Sequence, residues 1–148
     1  MFKLFQNDVG LLTSLYASGI QLQQLQGEVK QKYGAIYENL VAQELYCHGF
    51  GGDEHELLYF NSKKQGELDF VIAHNGKVIP IEVKSGKDYE RHNALTNVLT
   101  NDDYNIDFAY VLTNDNLCVE GKRIYMLMFI QKSPAPANQI FKFDLRSI

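Results

Sequence analysis

A chain of 148 residues, 45% hydrophobic and 22% charged, suits one domain, 1–148, large enough to bury a core. A net charge of −4 and a pI near 5.5 argue against broad, nonspecific nucleic-acid binding and leave room only for a local basic patch. With no apolar run long enough to span a bilayer, and with Met1 to Gly10 lacking the profile of a signal peptide, a cytoplasmic protein with no membrane partner is expected.

The first 33 residues read as a peripheral N-terminal segment. Phe2 and Leu4 suit a short strand and Leu11 to Tyr16 a turn or two of helix, while the glutamine-rich Gln21 to Gln26 is open between loop, weak helix and insertion. Gly34 to His48 is the clearest helix. Ile36, Tyr37, Leu40, Val41, Leu45 and Cys47 form its apolar arc, with Glu38 at the edge, Glu44 oddly near the middle, and Gly49 where a C-terminal cap wants positive φ. Leu57 to Phe60 reads as a short strand, followed by a polar, basic turn carrying Lys63 and Lys64.

Gly66 to Lys84 reads as two strands joined at Asn75-Gly76, a pair suited to a type I′ turn. Leu68, Phe70 and Ile72 alternate with Glu67, Asp69, Val71 and Ala73, and Ile79, Ile81 and Val83 alternate with Val78, Pro80, Glu82 and Lys84. Asp69, Glu82 and Lys84 are therefore expected to project from one side of the hairpin. Pro80 removes a ladder donor, so a bulge or bend is expected there. Asp88 to Leu99 reads as a helix and Phe108 to Leu112 as a strand. Ile124 to Ile130 is a buried strand or a helix, and Ile140 to Leu145 alternates like a last edge strand. Cys47 and Cys118 lack a partnering pattern and lie in apolar stretches, so both read as reduced, packed thiols. The expected architecture is an α/β sandwich with a mixed central sheet flanked by helices.

The hairpin carries the chemistry. A Glu-x-Lys pattern alone occurs by chance about once in every couple of chains this long, and Glu28-Val29-Lys30 and Glu120-Gly121-Lys122 match it as well. Glu82-Val83-Lys84 differs in ending a β-branched strand paired through Asn-Gly to a strand with Asp69, behind a helix with Glu38. Mg²⁺ or Mn²⁺ takes oxygen ligands, which Asp69, Glu82 and the Val83 carbonyl would supply, and such an ion lowers the pKa of a bound water. Lys84 would orient that water or neutralise developing charge. Glu38 would complete the cluster, and Lys63, Lys64, Lys87 and Arg91 are the nearby cations suited to a DNA backbone. The bland reading is a Lys-Glu pair beside an aspartate on a solvated sheet face. His48, His55, His74 and His92 have no zinc-site spacing.

The stretches GAIYENLVAQEL (34–45), QGELDFVI (65–72) and VIPIEVKSG (78–86) resemble the C-terminal domain that follows the ATP-binding module in many prokaryotic AAA+ ATPases, a domain of the PD-(D/E)XK nuclease superfamily. KLFQNDVGLL (3–12) resembles the stretch ahead of that family's helix. The resemblance implies a restriction-endonuclease-like fold. It matches Glu38 to the helix acid, Asp69 to the first strand acid, and Glu82 and Lys84 to the acid and lysine of the second strand, with Gln65 and Glu67 at flanking polar positions. The proline before the first acid is replaced by Leu68, and no Gly-x-x-x-x-Gly-Lys-Ser/Thr loop occurs, so there is no ATP site in this chain. The implied protein is a fragment or stand-alone relative of the second module, with DNA, an ATPase module or a second copy as partners. Two functions remain open: metal-dependent hydrolysis of DNA phosphodiesters, and a catalytically silent DNA-binding or protein-interaction module.

Overall fold

The computed structural model describes residues 3–12, 14, 34–52, 56–84, 93–113 and 117–128. Helix α1 (Gly34–Cys47) is followed by strands β1 (Leu57–Ser62), β2 (Gly66–His74) and β3 (Lys77–Val83). Helix α2 (Asn93–Leu99), a 3-10 turn at Asp102–Tyr104, and strands β4 (Ala109–Thr113), β5 (Cys118–Glu120) and β6 (Arg123–Leu127) complete the order. The sheet runs β1-β2-β3-β4-β6-β5. Its β1/β2, β2/β3 and β5/β6 pairs are antiparallel, whereas β3/β4 and β4/β6 are parallel. The fold is thus mixed α/β around a mixed sheet.

Two apolar clusters lie on opposite faces of that sheet. Val41, Ala42 and Leu45 of α1 pack with Phe50, Phe70, Ile72, Ile79, Ile81, Val83, Tyr110 and Leu112. Leu95, Val98 and Leu99 of α2 pack with Leu68, Val71, Ile106, Ala109, Val111 and Tyr125. Burial on both faces explains why Phe70, Val71 and Ile72 are buried consecutively, where the alternating pattern predicts one covered face.

Local chemistry sets the element ends. Helix α1 closes as expected at Gly49, φ 92°, with Gly49 N–H donating to the Tyr46 carbonyl and Phe50 N–H to the Leu45 carbonyl. This reversal seats Phe50 beside Leu45 in the core. Asn75 (φ 50°) and Gly76 (φ 74°) both take positive φ, as the type I′ turn requires. The register His74↔Lys77, Ala73↔Val78, Ile72↔Ile79, Val71↔Pro80, Phe70↔Ile81 runs without interruption.

The bulge expected at Pro80 is therefore absent from this pairing. Counting outward from the two-residue turn, Val71↔Pro80 is a pair that exchanges no hydrogen bonds, so the missing donor disturbs nothing in that ladder. On its other side, pairing with β4 begins only at Ile81↔Tyr110. The irregularity lies elsewhere. β1 advances two residues from Leu58 to Phe60 while β2 retreats three, from Val71 to Leu68, so the extra residue sits in β2 at Asp69–Phe70.

Other expectations also change. Cys47 and Cys118 are exposed and free rather than packed, because Cys47 ends α1 facing outward and Cys118 lies on the edge strand β5, which the sequence reading does not anticipate. Glu44 is exposed, since the buried stripe of α1 runs through Asn39, Val41, Ala42 and Leu45 instead. The described part of 124–130 is strand, ending at Leu127. Gln21–Gln26, Ile140–Leu145 and the start of the helix expected from Asp88 lie outside the described residues. Among the described residues no helix is long and apolar enough to cross a membrane.

Candidate functional site at the open end of the hairpin

The β2/β3 ladder stops at Phe70↔Ile81, one residue short of Asp69 and Glu82. A continuing ladder would give the next hydrogen-bonded partner of Val83 N–H on β2 at the carbonyl of Leu68. Instead the Asp69 carboxylate intervenes, Oδ2 accepting from Val83 N–H at 2.8 Å. The bulge makes this possible by turning Asp69 to the α1 side along with Phe70. Lys84 N–H donates to the Leu112 carbonyl at 2.8 Å, so residue 84 bonds toward β4. The polar backbone groups of Val83, carbonyl included, accordingly face the opening beside β2. This is the carboxyl end of β3, where the sheet changes from antiparallel to parallel neighbours, a place where open α/β sheets commonly hold ligands.

The four predicted side chains reach this opening from different elements. Glu82 and Lys84 alternate with Ile81 and Val83, so they emerge on the α2 face of β3, with Glu82 in register beside Val111. Asp69 and Glu38 come from the α1 side. The single hairpin face expected from alternation is thus replaced by approach from two sides of a gap, with Asp69 bonded to the backbone residue between Glu82 and Lys84. Glu82 Oε1 pairs with Lys84 Nζ at 2.7 Å. The Glu82 side chain is only 9% exposed, and its Oε2 is buried with no hydrogen-bond partner among the described residues. Burial first, and then the Asp69 charge, push the Glu82 carboxyl above the ordinary glutamate range, against the pull of Lys84 and Lys3.

A residue not expected here, Lys3, completes the site. Its Nζ lies 3.0 Å from Glu67 Oε1, 3.3 Å from Glu38 Oε2 and 3.4 Å from Asp69 Oδ1, and 5.0 Å from the centre of the Tyr59 ring. Burial disfavours its charge, but the Glu67 hydrogen bond and the charges of Asp69, Glu38 and Glu67 outweigh this and hold it above its usual pKa. Burial, followed by the Asp69 charge, raises Glu38, with Lys3 offsetting part of the effect. The hydrogen bond from Lys3 lowers Glu67.

Asn39, one residue beyond Glu38, fixes the segment that carries Lys3. Its side chain accepts from Gln6 N–H at 2.7 Å and donates to the Gln6 carbonyl at 2.9 Å, so one buried amide satisfies both backbone groups of residue 6. Phe5 packs against Phe70 with ring centres 5.3 Å apart. A cavity of about 220 Å³ lies alongside, lined by Lys3, Phe5, Leu57, Leu58, Tyr59, Asp69 and Phe70. Neither Lys3 nor Asn39 carries a sequence signal, because the partners of each lie more than thirty residues away.

Lys63 and Lys64 are exposed in the β1–β2 turn. That turn opens on the same end of the sheet, because β2 starts there and β3 ends there. Lys87 and Arg91 lie outside the described residues. In comparisons with known proteins, residues 33–131 match the family described as Domain of unknown function (DUF4143). No curated protein and no solved structure matches the chain.

Proposed function

The chain belongs to the DUF4143 family, whose domain is commonly found at the C-terminus of AAA-type ATPases, and from the site's chemistry and the resemblance of its sequence motifs we propose a metal-dependent nuclease domain of restriction-endonuclease-like fold. One observation carries the reading: an aspartate opens the end of a hairpin beside an acid-x-lysine strand, and a buried glutamate oxygen there has no partner among the described residues. That orphaned Glu82 Oε2, the Asp69 carboxylate and the Val83 carbonyl are hard oxygen donors, a set that fits Mg²⁺ or Mn²⁺. Asp69 and Glu82 would hold the ion together with the Val83 carbonyl, and Glu38 would support it from α1.

The bound metal would supply a water of lowered pKa and charge stabilisation at the phosphate. The remaining roles belong to the chain. Lys84, held by Glu82, places a positive charge at the site to neutralise the phosphorane as it develops. Asp69, anchored on Val83 N–H, is pre-oriented and loses little freedom when it binds. Lys63 and Lys64 offer a DNA backbone two exposed cations at the mouth of the site.

The test is incubation of supercoiled and branched DNA with Mg²⁺ or Mn²⁺, wild type against Asp69→Ala and Lys84→Ala. Cleavage should fall at least about a hundredfold in both variants. Cleavage that survives Asp69→Ala would remove the reaction from this site. A second reading, a silent DNA-binding or protein-interaction module of an ATPase, draws on Lys3, whose ammonium already pairs with three of the acids. Binding of DNA with no cleavage of any substrate would favour it.

A further inference from the structure

Lys3 stands where a cation belongs. Three carboxylates from two elements, Glu38 of α1 and Glu67 and Asp69 of β2, close on its ammonium within 3.0–3.4 Å. Tyr59 lies on its remaining flank. An exposed lysine paired with one acid would be an ordinary surface contact worth little. Here the side chain is 21% exposed, and the Asp69 oxygen it meets belongs to the carboxylate whose other oxygen bonds Val83 N–H. Close by, Glu82 Oε2 is buried and has no partner among the described residues, and the charges of both Asp69 and Lys3 act on Glu82. Among the described residues the cluster thus holds more carboxylate oxygen than Lys3 and Lys84 satisfy.

The segment bearing Lys3 is docked rather than woven into the fold. Residues 3–6 add no strand to the sheet. Among the described residues, the contacts holding them include the two hydrogen bonds between Gln6 and Asn39, Phe5 against Phe70 and the α1-side core, and Lys3 with its ion pairs and Tyr59. Asp8 then starts a helical turn, its carboxylate accepting from Leu11 N–H at 3.0 Å, which fixes where the segment re-enters regular structure. A short docked segment of this kind presents its charged group at an effective concentration in the millimolar range, comparable to the Mg²⁺ a weak carboxylate site needs.

We propose that residues 3–6 are a strap whose Lys3 ammonium, held by Glu67, competes with a divalent cation for Asp69 and Glu38, so that the site loads metal only as the strap lifts. The inference rests on the metal-site reading above and adds its regulation. Glu82 meets Lys84 through Oε1 and keeps Oε2 for an ion, whereas both Asp69 oxygens are engaged, Oδ1 by Lys3 and Oδ2 by Val83 N–H, so a divalent ion approaching Asp69 is opposed by the Lys3 ammonium. Anything that draws the strap away, a partner module or a DNA phosphate pairing with Lys3, would therefore favour loading.

Calorimetric titration of the full chain with Mn²⁺ tests this, wild type against Lys3→Met, which keeps an apolar stem against Tyr59. The expected result is a Kd at least ten times lower in Lys3→Met. In the wild type, Mn²⁺ should also speed hydrogen exchange of the Gln6 amide relative to NaCl of equal ionic strength. Equal affinities with unchanged Gln6 exchange would overturn the strap and leave the metal site standing. Absence of Mn²⁺ binding to both proteins would overturn both readings. If Lys3→Met does not fold, exchange in the wild type decides alone: acceleration by Mn²⁺ supports the strap, and no change refutes it.

Discussion

At the residue scale the telling group is Glu82. Its carboxyl is raised by burial and by Asp69, so the folded state holds its proton to higher pH than the unfolded chain does. The stability this confers is complete below the ordinary glutamate pKa and is lost as pH rises through the raised folded value. At neutral pH the ionised group is therefore a cost. Glu82→Gln should stabilise the protein at pH 7, with the advantage vanishing below the ordinary glutamate pKa; melting curves across that range measure it. Removing Asp69 should have the opposite effect on stability. Asp69→Ala strands Val83 N–H and uncouples Lys3, so urea denaturation at pH 7 should show a loss of about 2 kcal/mol. Together the two variants separate an acid kept for stability from one kept in spite of it.

At the scale of elements, the hairpin was legible and its distortion was not. Asn75-Gly76 announces its own turn, because positive φ is a property of those two residues. The bulge at Asp69–Phe70 arises from the pairing of β2 with β1, and nothing in GELDFVI marks it. Gly66 is similar. It takes φ 100°, and a Cβ there would lie 2.8 Å from Ala94 Cβ on α2. Gly66→Ala should cost about 3 kcal/mol from strain and overlap combined, read by chemical denaturation. Adding Ala94→Gly should return the steric part and leave the backbone part. Asn39 makes the same point within a helix. It reads as one more polar residue in an amphipathic pattern, yet it is buried and latches Gln6.

At the scale of the molecule, the two apolar clusters use opposite faces of one sheet and share its strands β2 and β4. Neither face can be lost alone, because the same backbone carries both. Leu45→Ala on the α1 face and Leu95→Ala on the α2 face should each cost about 3 kcal/mol. Each should shift a single transition, with far-ultraviolet circular dichroism and tyrosine fluorescence coinciding; the chain has no tryptophan to complicate the second signal. A domain that melts as one unit holds its site groups at fixed separations, which suits chemistry that depends on three or four charges meeting.

Much of this protein was written locally. The strand alternation, the Asn-Gly turn, the helix closed by Gly49, and the identity of Glu38, Asp69, Glu82 and Lys84 as the polar groups to watch all follow from residues a few positions apart, where steric and periodic rules act directly. Tertiary structure decided the rest: that Asp69 turns to the α1 side, that Pro80 sits harmlessly in an unbonded pair, that β2 is covered on both faces, and that Lys3 enters the acid cluster. Each of these depends on partners many residues away along the chain, and a charge or a pairing register has no local signature until the fold brings its partner within a few ångströms.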